Sequence, residues 1–439
     1  IGRTGANQYE TPNLNRLANQ GTQFTWYYSP QAVCSASRAG LLTGCYPNRI
    51  GISGALMPWA KIGINSEETT IAEVLKTKGY HTGIIGKWHL GHHKELLPLQ
   101  HGFDDYYGIP YSNDMWPVDF DGVPIQLKDT TSNKMKYPIL PLIEGNVKVG
   151  EVRTLADQDK LTTDYTEHAV KFIEQHKKEH FFLYLPHSMV HIPLGVSDKF
   201  RGKSKQGLYG DVMMEIDWSI GEIMKALKQN DLDKNTLIIF TSDNGPWLNF
   251  GNHAGTTGGL REGKGTSWEG GQRVPCIMRW PGVIPEGEIC NKLASAIDIL
   301  PTLAAITGAP LPDKKIDGVS LLPLLLGDMT SSPRHNFYYY YQQNSLEGVQ
   351  KDYWKLILPH KGISYVGVEQ GKDGWPGKTI SVTVTESELY DLRRDPGERY
   401  NVADMYPEIV KDLQVIAGEA RQDMGDDITK VPGANRRKA

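Results

Sequence analysis

The sequence predicts an α/β fold: a large, mainly parallel sheet sandwiched by helices, followed by a small C-terminal α+β subdomain. Three observations predict it. Amphipathic helical stretches alternate with short apolar runs of strand length as far as about residue 330. Reactive side chains recur just beyond the ends of those runs. After residue 330, strand-like runs follow one another without helices between them. The expected division is therefore 1–330 for a catalytic α/β domain and 331–439 for a subdomain with a small antiparallel sheet and a helix.

The elements can be justified in order. Thr11-Pro12-Asn13 before Leu14, Leu17 and Ala18 reads as a capped helix start. Cys34 to Thr43 carries small and apolar residues at helical spacing after a loop. Glu67 to Lys78 reads as a helix through Ile71, Val74 and Leu75, and His81 to Gly86 as a buried strand. Leu161 to Lys177 is a strongly amphipathic helix, followed at once by the strand Phe181 to Leu185. Tyr209 to Gln229 is a second long helix, followed by the strand Thr236 to Phe240. Phe337 to Tyr341, Trp354 to Leu358 and Ser381 to Thr385 read as the C-terminal strands, and Pro407 to Arg421 as the last helix.

Composition narrows the function. The chain of 439 residues has 39% hydrophobic and 22% charged residues, an ordinary globular balance, and a net charge of −4 without long single-sign runs, so it carries no electrostatic footprint for nucleic acid. No stretch approaches the roughly 18 uninterrupted apolar residues of a membrane span. The four cysteines are too few for a disulfide scaffold, although a Cys276–Cys290 bridge is one option.

Five motifs carry chemistry. The first is Cys34-Ser35-Ala36-Ser37-Arg38, continuing to Leu41-Leu42-Thr43-Gly44. The second is Gly86-Lys87-Trp88-His89-Leu90-Gly91; if this segment is extended, Lys87 and His89 point the same way. The third is His187-Ser188-Met189-Val190-His191-Ile192-Pro193. The fourth, Thr241-Ser242-Asp243-Asn244-Gly245, would alone be ordinary turn chemistry. The fifth runs from Leu260-Arg261-Glu262-Gly263-Lys264 to Glu269-Gly270-Gly271. In open α/β sheets ligands bind beyond the carboxyl ends of strands, and Lys87/His89, His191 and Asp243/Asn244 each follow such an end. Three clusters in register are hard to explain by chance.

Together these motifs resemble the signatures of the type I sulfatases, in the alkaline phosphatase superfamily, with arylsulfatase A-like and N-acetylgalactosamine-6-sulfatase-like character. The resemblance covers about residues 10 to 420, including the closing Leu389-Tyr390-Asp391-Leu392 and Asp395-Pro396-Gly397-Glu398. Ala36 stands where proline is commoner. The resemblance implies hydrolysis of sulfate esters, in which Cys34 is oxidised to formylglycine by a formylglycine-generating or sulfatase-maturating enzyme. One hydroxyl of the hydrated aldehyde attacks sulfur; the second drives elimination of sulfate, which serine could not do. It further implies that Arg38 stabilises the deprotonated diol, that Lys87 and Lys264 bind sulfate, and that His89 hydrogen-bonds the diol or assists its elimination. His191 contacts the leaving oxygen, for which histidine is suited because its pKa is tunable; His187 fits a structural place better. Gly108 to Asp114 looks like an arylsulfatase A segment whose serine, here Ser112, reaches sulfate. Asp243 and Asn244 are the implied ligands of Ca2+, a hard cation that prefers oxygen.

The substrate is expected to be a sulfated sugar, with galactose or N-acetylgalactosamine sulfate as candidates, and the location periplasmic or secreted. The insert from about Tyr111 to Lys160 and the aromatic C-terminal strands are the expected specificity elements. Trp116, Trp247 and Tyr339 could stack on a sugar ring, though packing is the commoner use of such residues. Two rivals remain: a catalytically inactive sulfated-glycan binder, and a related phosphatase or phosphodiesterase, which would need additional His and Asp clusters for paired zinc ions. One departure stands out. The family opens with an apolar strand ending in adjacent aspartates, whereas Ile1-Gly2-Arg3-Thr4-Gly5 resembles the stretch just after them. Asp104-Asp105 does not substitute, because it follows Gly102-Phe103 in another segment. The expectation is roughly 15–30 further residues upstream in the natural protein, an empty or weakly occupied calcium site here, and a sheet position beside the Phe240 strand that is vacant or filled from elsewhere.

Overall fold

A computed structural model describes residues 1–439. The α/β architecture is as expected, but its strands form two mixed sheets. In the first, the order is 147–152, 140–144, 105–109, 81–87, 181–184. His81–Lys87 pairs in parallel with both Asp105–Ile109 and Phe181–Tyr184, while the 140–152 hairpin adds antiparallel strands at one edge. In the second, the order is 288–290, 22–24, 276–279, 238–241, and Cys276–Arg279 runs antiparallel to both of its neighbours. Strands as short as Thr22–Phe24 leave no periodicity to read, which is why the mixed character was not legible.

Phe24 pairs with Cys276 on one side and Cys290 on the other. Two strand spacings, about 9–10 Å, separate those cysteines, beyond the roughly 7 Å limit for a disulfide. All four cysteines are free and buried.

The strands Phe181–Tyr184 and Ile238–Thr241 each have a regular partner on one side only. Their side chains nevertheless alternate between the same two cores. Phe182, Tyr184 and Ile239 pack with the Cys34–Thr43 and Ile71–Lys76 helices, whereas Phe181, Leu183 and Phe240 pack under Leu161–Gln175 and Leu208–Gln229. Every residue of both strands is only half-buried, so each face covers the strand in part, and the area it does remove from water stabilises the layer.

Helix ends follow local chemistry. The Ile71–Lys76 helix starts four residues later than Glu67, because Thr70 Oγ1 accepts from Glu73 N (3.3 Å) while Glu73 Oε2 accepts from Thr70 N (2.7 Å). Similarly, Thr236 donates to Leu232 O at 2.8 Å, tying up the expected strand start, so the strand begins at Ile238. The final helix runs to Met424 and stops at Gly425, whose φ of 85° suits glycine.

The C-terminal region forms an antiparallel sheet of Asn336–Tyr341, Ser345–Lys351, Trp354–Ile357 and Glu388–Asp391, backed by Pro407–Met424. It is tied to the α/β layer by a buried ion cluster. Lys355 Nζ lies 3.1 Å from Glu269 Oε1 and 2.8 Å from Glu398 Oε1, and all three side chains are fully buried. Tyr28 and Tyr339 donate to Glu269 at 2.7 and 2.9 Å. Tyr339 is therefore a core residue, as is Trp116, and neither is open to a sugar.

Candidate functional site

The site lies at the carboxyl ends of the parallel strands. Lys87 closes the 81–87 strand, Ser112 follows 105–109, and His191 follows 181–184. Asp243 and Asn244 follow 238–241 in the second sheet. Cys34 is the first residue of the Cys34–Thr43 helix, where unpaired backbone N–H groups favour an anion.

Arg38 is one turn into that helix. Its Nε donates to Asp243 Oδ2 at 2.8 Å and its Nη1 to the Lys87 carbonyl at 2.5 Å. Arg38 thereby joins the helix to both sheets. Burial opposes ionisation of Asp243, but Arg38, Lys87 and Lys264 outweigh it and bring the carboxyl down to about 2. Three cations around one carboxylate leave an excess of positive charge suited to an anionic group. The Lys87 ammonium is held below its ordinary pKa by burial, partly offset by Cys34, and donates to Ser112 Oγ at 3.0 Å.

Lys264 Nζ lies 2.9 Å from His191 Nε2 and 4.3 Å from the centre of the Trp247 ring. His191 Nδ1 faces the Ile192 carbonyl at 2.7 Å, so Nδ1 carries the proton and Nε2 accepts from Lys264. Burial, then Lys264 and Lys87, hold this imidazole neutral, well below its ordinary pKa. His187, by contrast, turns to Ser219 Oγ at 3.1 Å and is brought to about 4 by burial, in keeping with a structural place.

The 86–91 segment is not extended throughout. His89 has φ of 63°, in the left-handed region, so the strand alternation expected to carry Lys87 and His89 together breaks there. His89 Nε2 turns to the Leu56 carbonyl at 2.9 Å, and its Nδ1 is buried without a partner. Burial, then Lys87 and Arg38, keep this ring neutral.

Two further unpartnered atoms share the site. Asn244 Nδ2 donates to the Gly245 carbonyl, leaving Oδ1 buried and unbonded. Asp114 Oδ1 is also buried and unbonded, 3.8 Å from His191 Nδ1. Buried polar atoms normally find partners, so three in one place mark where a ligand belongs. The carboxylate of Asp243 and the orphan amide oxygen of Asn244 fit calcium in kind, while furnishing fewer oxygens than the six to eight the ion takes. The structure thus brings together Cys34, Arg38, Lys87, His89, Ser112, His191, Asp243, Asn244 and Lys264. Asp114 was missed as a site residue; its position between Ser112 and the tryptophan at 116 was the available signal.

Comparison with known proteins gives a consistent set of matches. The sulfatase family model matches residues 2–309, and the model for the C-terminal region of aryl-sulfatase matches 332–435. Human arylsulfatase A is 38% identical over 443 residues, covering 94% of this chain and 83% of that protein. Human N-acetylgalactosamine-6-sulfatase is 35% identical over 448 residues, covering 96% and 82%. Among solved structures, a sulfatase from Pseudoalteromonas sp. superposes with a TM-score of 0.82 at 27% identity, covering 97% of this chain and 86% of that one. A protein described in connection with metabolism of multiple glycosaminoglycans by Bacteroides thetaiotaomicron superposes with a TM-score of 0.79 at 31% identity, covering 95% of each.

Proposed function

This chain belongs to the sulfatase family, and from that premise we propose that it removes sulfate from a galactose or N-acetylgalactosamine unit, using a formylglycine made from Cys34 by a maturating enzyme. The observation that carries the reading is the convergence of Arg38, Lys87 and Lys264 with an unpartnered His89 Nδ1 at the start of the Cys34 helix. The hydrated aldehyde would supply a nucleophilic hydroxyl and a second one for releasing sulfate. The remaining work falls to side chains of this chain.

Lys87 and Lys264 clamp sulfate oxygens, and Ser112 orients the Lys87 ammonium. Arg38, held by Asp243, stabilises negative charge at residue 34. His89 Nδ1, neutral and unbonded, takes a proton from residue 34. In the resting site Lys264 donates to His191 Nε2; once that nitrogen has taken a proton from the Lys264 ammonium, it can donate to the leaving oxygen. Asp243 and Asn244 would hold Ca2+, which polarises sulfate oxygens when bound. The sugar reading draws on the N-acetylgalactosamine-6-sulfatase relatives, and export to the periplasm or outside the cell would bring the protein to sulfated glycans.

The test pairs mass spectrometry of the Cys34 peptide with a panel of sulfated mono- and oligosaccharides. Conversion of the thiol to aldehyde together with sulfate release from a galactose or N-acetylgalactosamine ester is expected. An unconverted cysteine with retained glycan binding would replace the enzyme reading with the inactive binder. Turnover of aryl sulfates alone would overturn the sugar assignment.

A further inference from the structure

The opposite end of the 81–87 strand carries a second cluster of reactive groups. His81 begins the strand that ends at Lys87, so about 20 Å of extended chain separates the two places. The His81 and His176 imidazoles stack with centroids 3.7 Å apart and planes at 16°. Their edges are sorted. On one edge, His81 Nδ1 lies 3.9 Å from Glu179 Oε2, and His176 Nδ1 lies 3.6 Å from Glu179 Oε1. On the other, His81 Nε2 lies 2.6 Å and His176 Nε2 3.7 Å from Asp105 Oδ2. His176 Nδ1 is buried and has no hydrogen-bond partner.

Backbone bonds build this arrangement. Glu179 N donates to the His176 carbonyl at 2.9 Å, a turn that closes the Leu161–Gln175 helix and puts both side chains on one side. His81 N donates to the His180 carbonyl at 2.8 Å, fixing the strand beside that turn. Asp104, the remaining nearby carboxylate, is engaged by Lys76 Nζ at 2.6 Å and by Thr82.

We propose that His81 Nδ1, His176 Nδ1 and the Glu179 carboxylate bind a divalent transition metal ion, Zn2+ by class. One possible ligand atom from each of the three residues lies within 4.8 Å of the others. Tetrahedral zinc with ligand bonds of about 2.0–2.1 Å needs donor separations of about 3.4 Å, so donor atoms now within 4.8 Å of one another move inward by up to about 1.4 Å. Each ring turns about χ2, a broad torsion for histidine, to converge the two lone pairs. Asp105 then holds both Nε2–H groups, the carboxylate–histidine–metal arrangement that fixes tautomer and ring orientation. Two imidazoles and one carboxylate favour Zn2+ over Ca2+ or Mg2+, and the fourth position is left to water. The ion ties the strand that ends at Lys87 to the helix packed on its face, far from the sulfate site.

The test is calorimetric titration of the whole protein with Zn2+ under saturating Ca2+, repeated with His176→Ala and Glu179→Gln. One zinc per wild-type chain is expected, with affinity at least ten-fold weaker in each variant and sulfatase activity unchanged. The Co2+-loaded wild type should show the visible absorption of a tetrahedral site, lost in His176→Ala. Zinc at saturating concentration should raise the melting temperature of the wild type but not of the variants. Equal zinc affinity in wild type and His176→Ala, or no binding to the wild type at millimolar Zn2+, would overturn the proposal.

Discussion

Glu347 lends itself to a quantitative test. Its side chain is 3% exposed, Oε2 accepts from Ser267 Oγ at 2.6 Å, and His360 Nε2 is 3.5 Å away. Burial raises its pKa from 4.5 to about 8, against the Ser267 bond and with a further push from Asp426. His360 offers no compensating charge, since burial lowers its own pKa. The native state therefore keeps a proton that the unfolded chain releases, so stability falls as pH rises from 4.5 towards 8 and is level outside that window. Each unit is worth about 1.4 kcal/mol, so the group costs about 1 kcal/mol at pH 5 and about 4 kcal/mol at pH 8. Glu347→Gln keeps the volume and an acceptor for Ser267 but cannot ionise. Relative to wild type, it should gain about 3 kcal/mol between pH 5 and pH 8. Urea melts followed by far-UV circular dichroism at the two pH values measure this. A variant–wild-type difference that stays constant, or is larger at pH 5, would refute a neutral Glu347.

Further predictions concern the site. Cys34→Ala should abolish sulfate release without lowering the melting temperature, and Cys34→Ser should stall as a sulfate ester visible by intact mass. Lys87→Ala and Lys264→Ala should each lower kcat/KM by about 10² or more, measured on the best substrate of the panel. Because Lys264 is the largest charged contributor to the depressed His191 pKa, Lys264→Ala should move that pKa upward, read by NMR titration of labelled imidazole. Asn244→Ala should weaken calcium binding at least ten-fold by calorimetry; unchanged affinity would remove Asn244 from the ligand set.

The long helices were legible because Leu161–Gln175 and Leu208–Gln229 repeat their apolar face over several turns. The helix at Cys34 was legible from composition within a motif. What the chain does not display is pairing. Cys276–Arg279 lies between strands that precede it by some 40 and some 250 residues, and nothing local encodes such partners. The site residues were legible as motifs, but their connections were not. Arg38 reaching Asp243, and Lys264 resting on His191, are contacts across 205 and 73 residues. The turn of His89 into the left-handed region was equally hidden, because histidine does not announce a positive φ as glycine does. Trp116 and Tyr339 took the commoner course for such residues, packing in the core, since large aromatic side chains serve a core as readily as a sugar site.

The lysine shared by Glu269 and Glu398 has a bearing on recombination between relatives. Glu269 lies five residues beyond Lys264, whereas Lys355 and Glu398 come from the closing third of the chain. A chimera joined near residue 330 that brought in an apolar residue at 355 would leave buried Glu398 without its cation and Glu269 with only Arg273, 3.6 Å away, a change that costs several kcal/mol. The loop carrying Lys264 would be the first to feel it. Crossover points in this scaffold are therefore set by charge as much as by sheet boundaries, and a breeding library that keeps positions 269, 355 and 398 from one parent should yield more folded members than one that shuffles them.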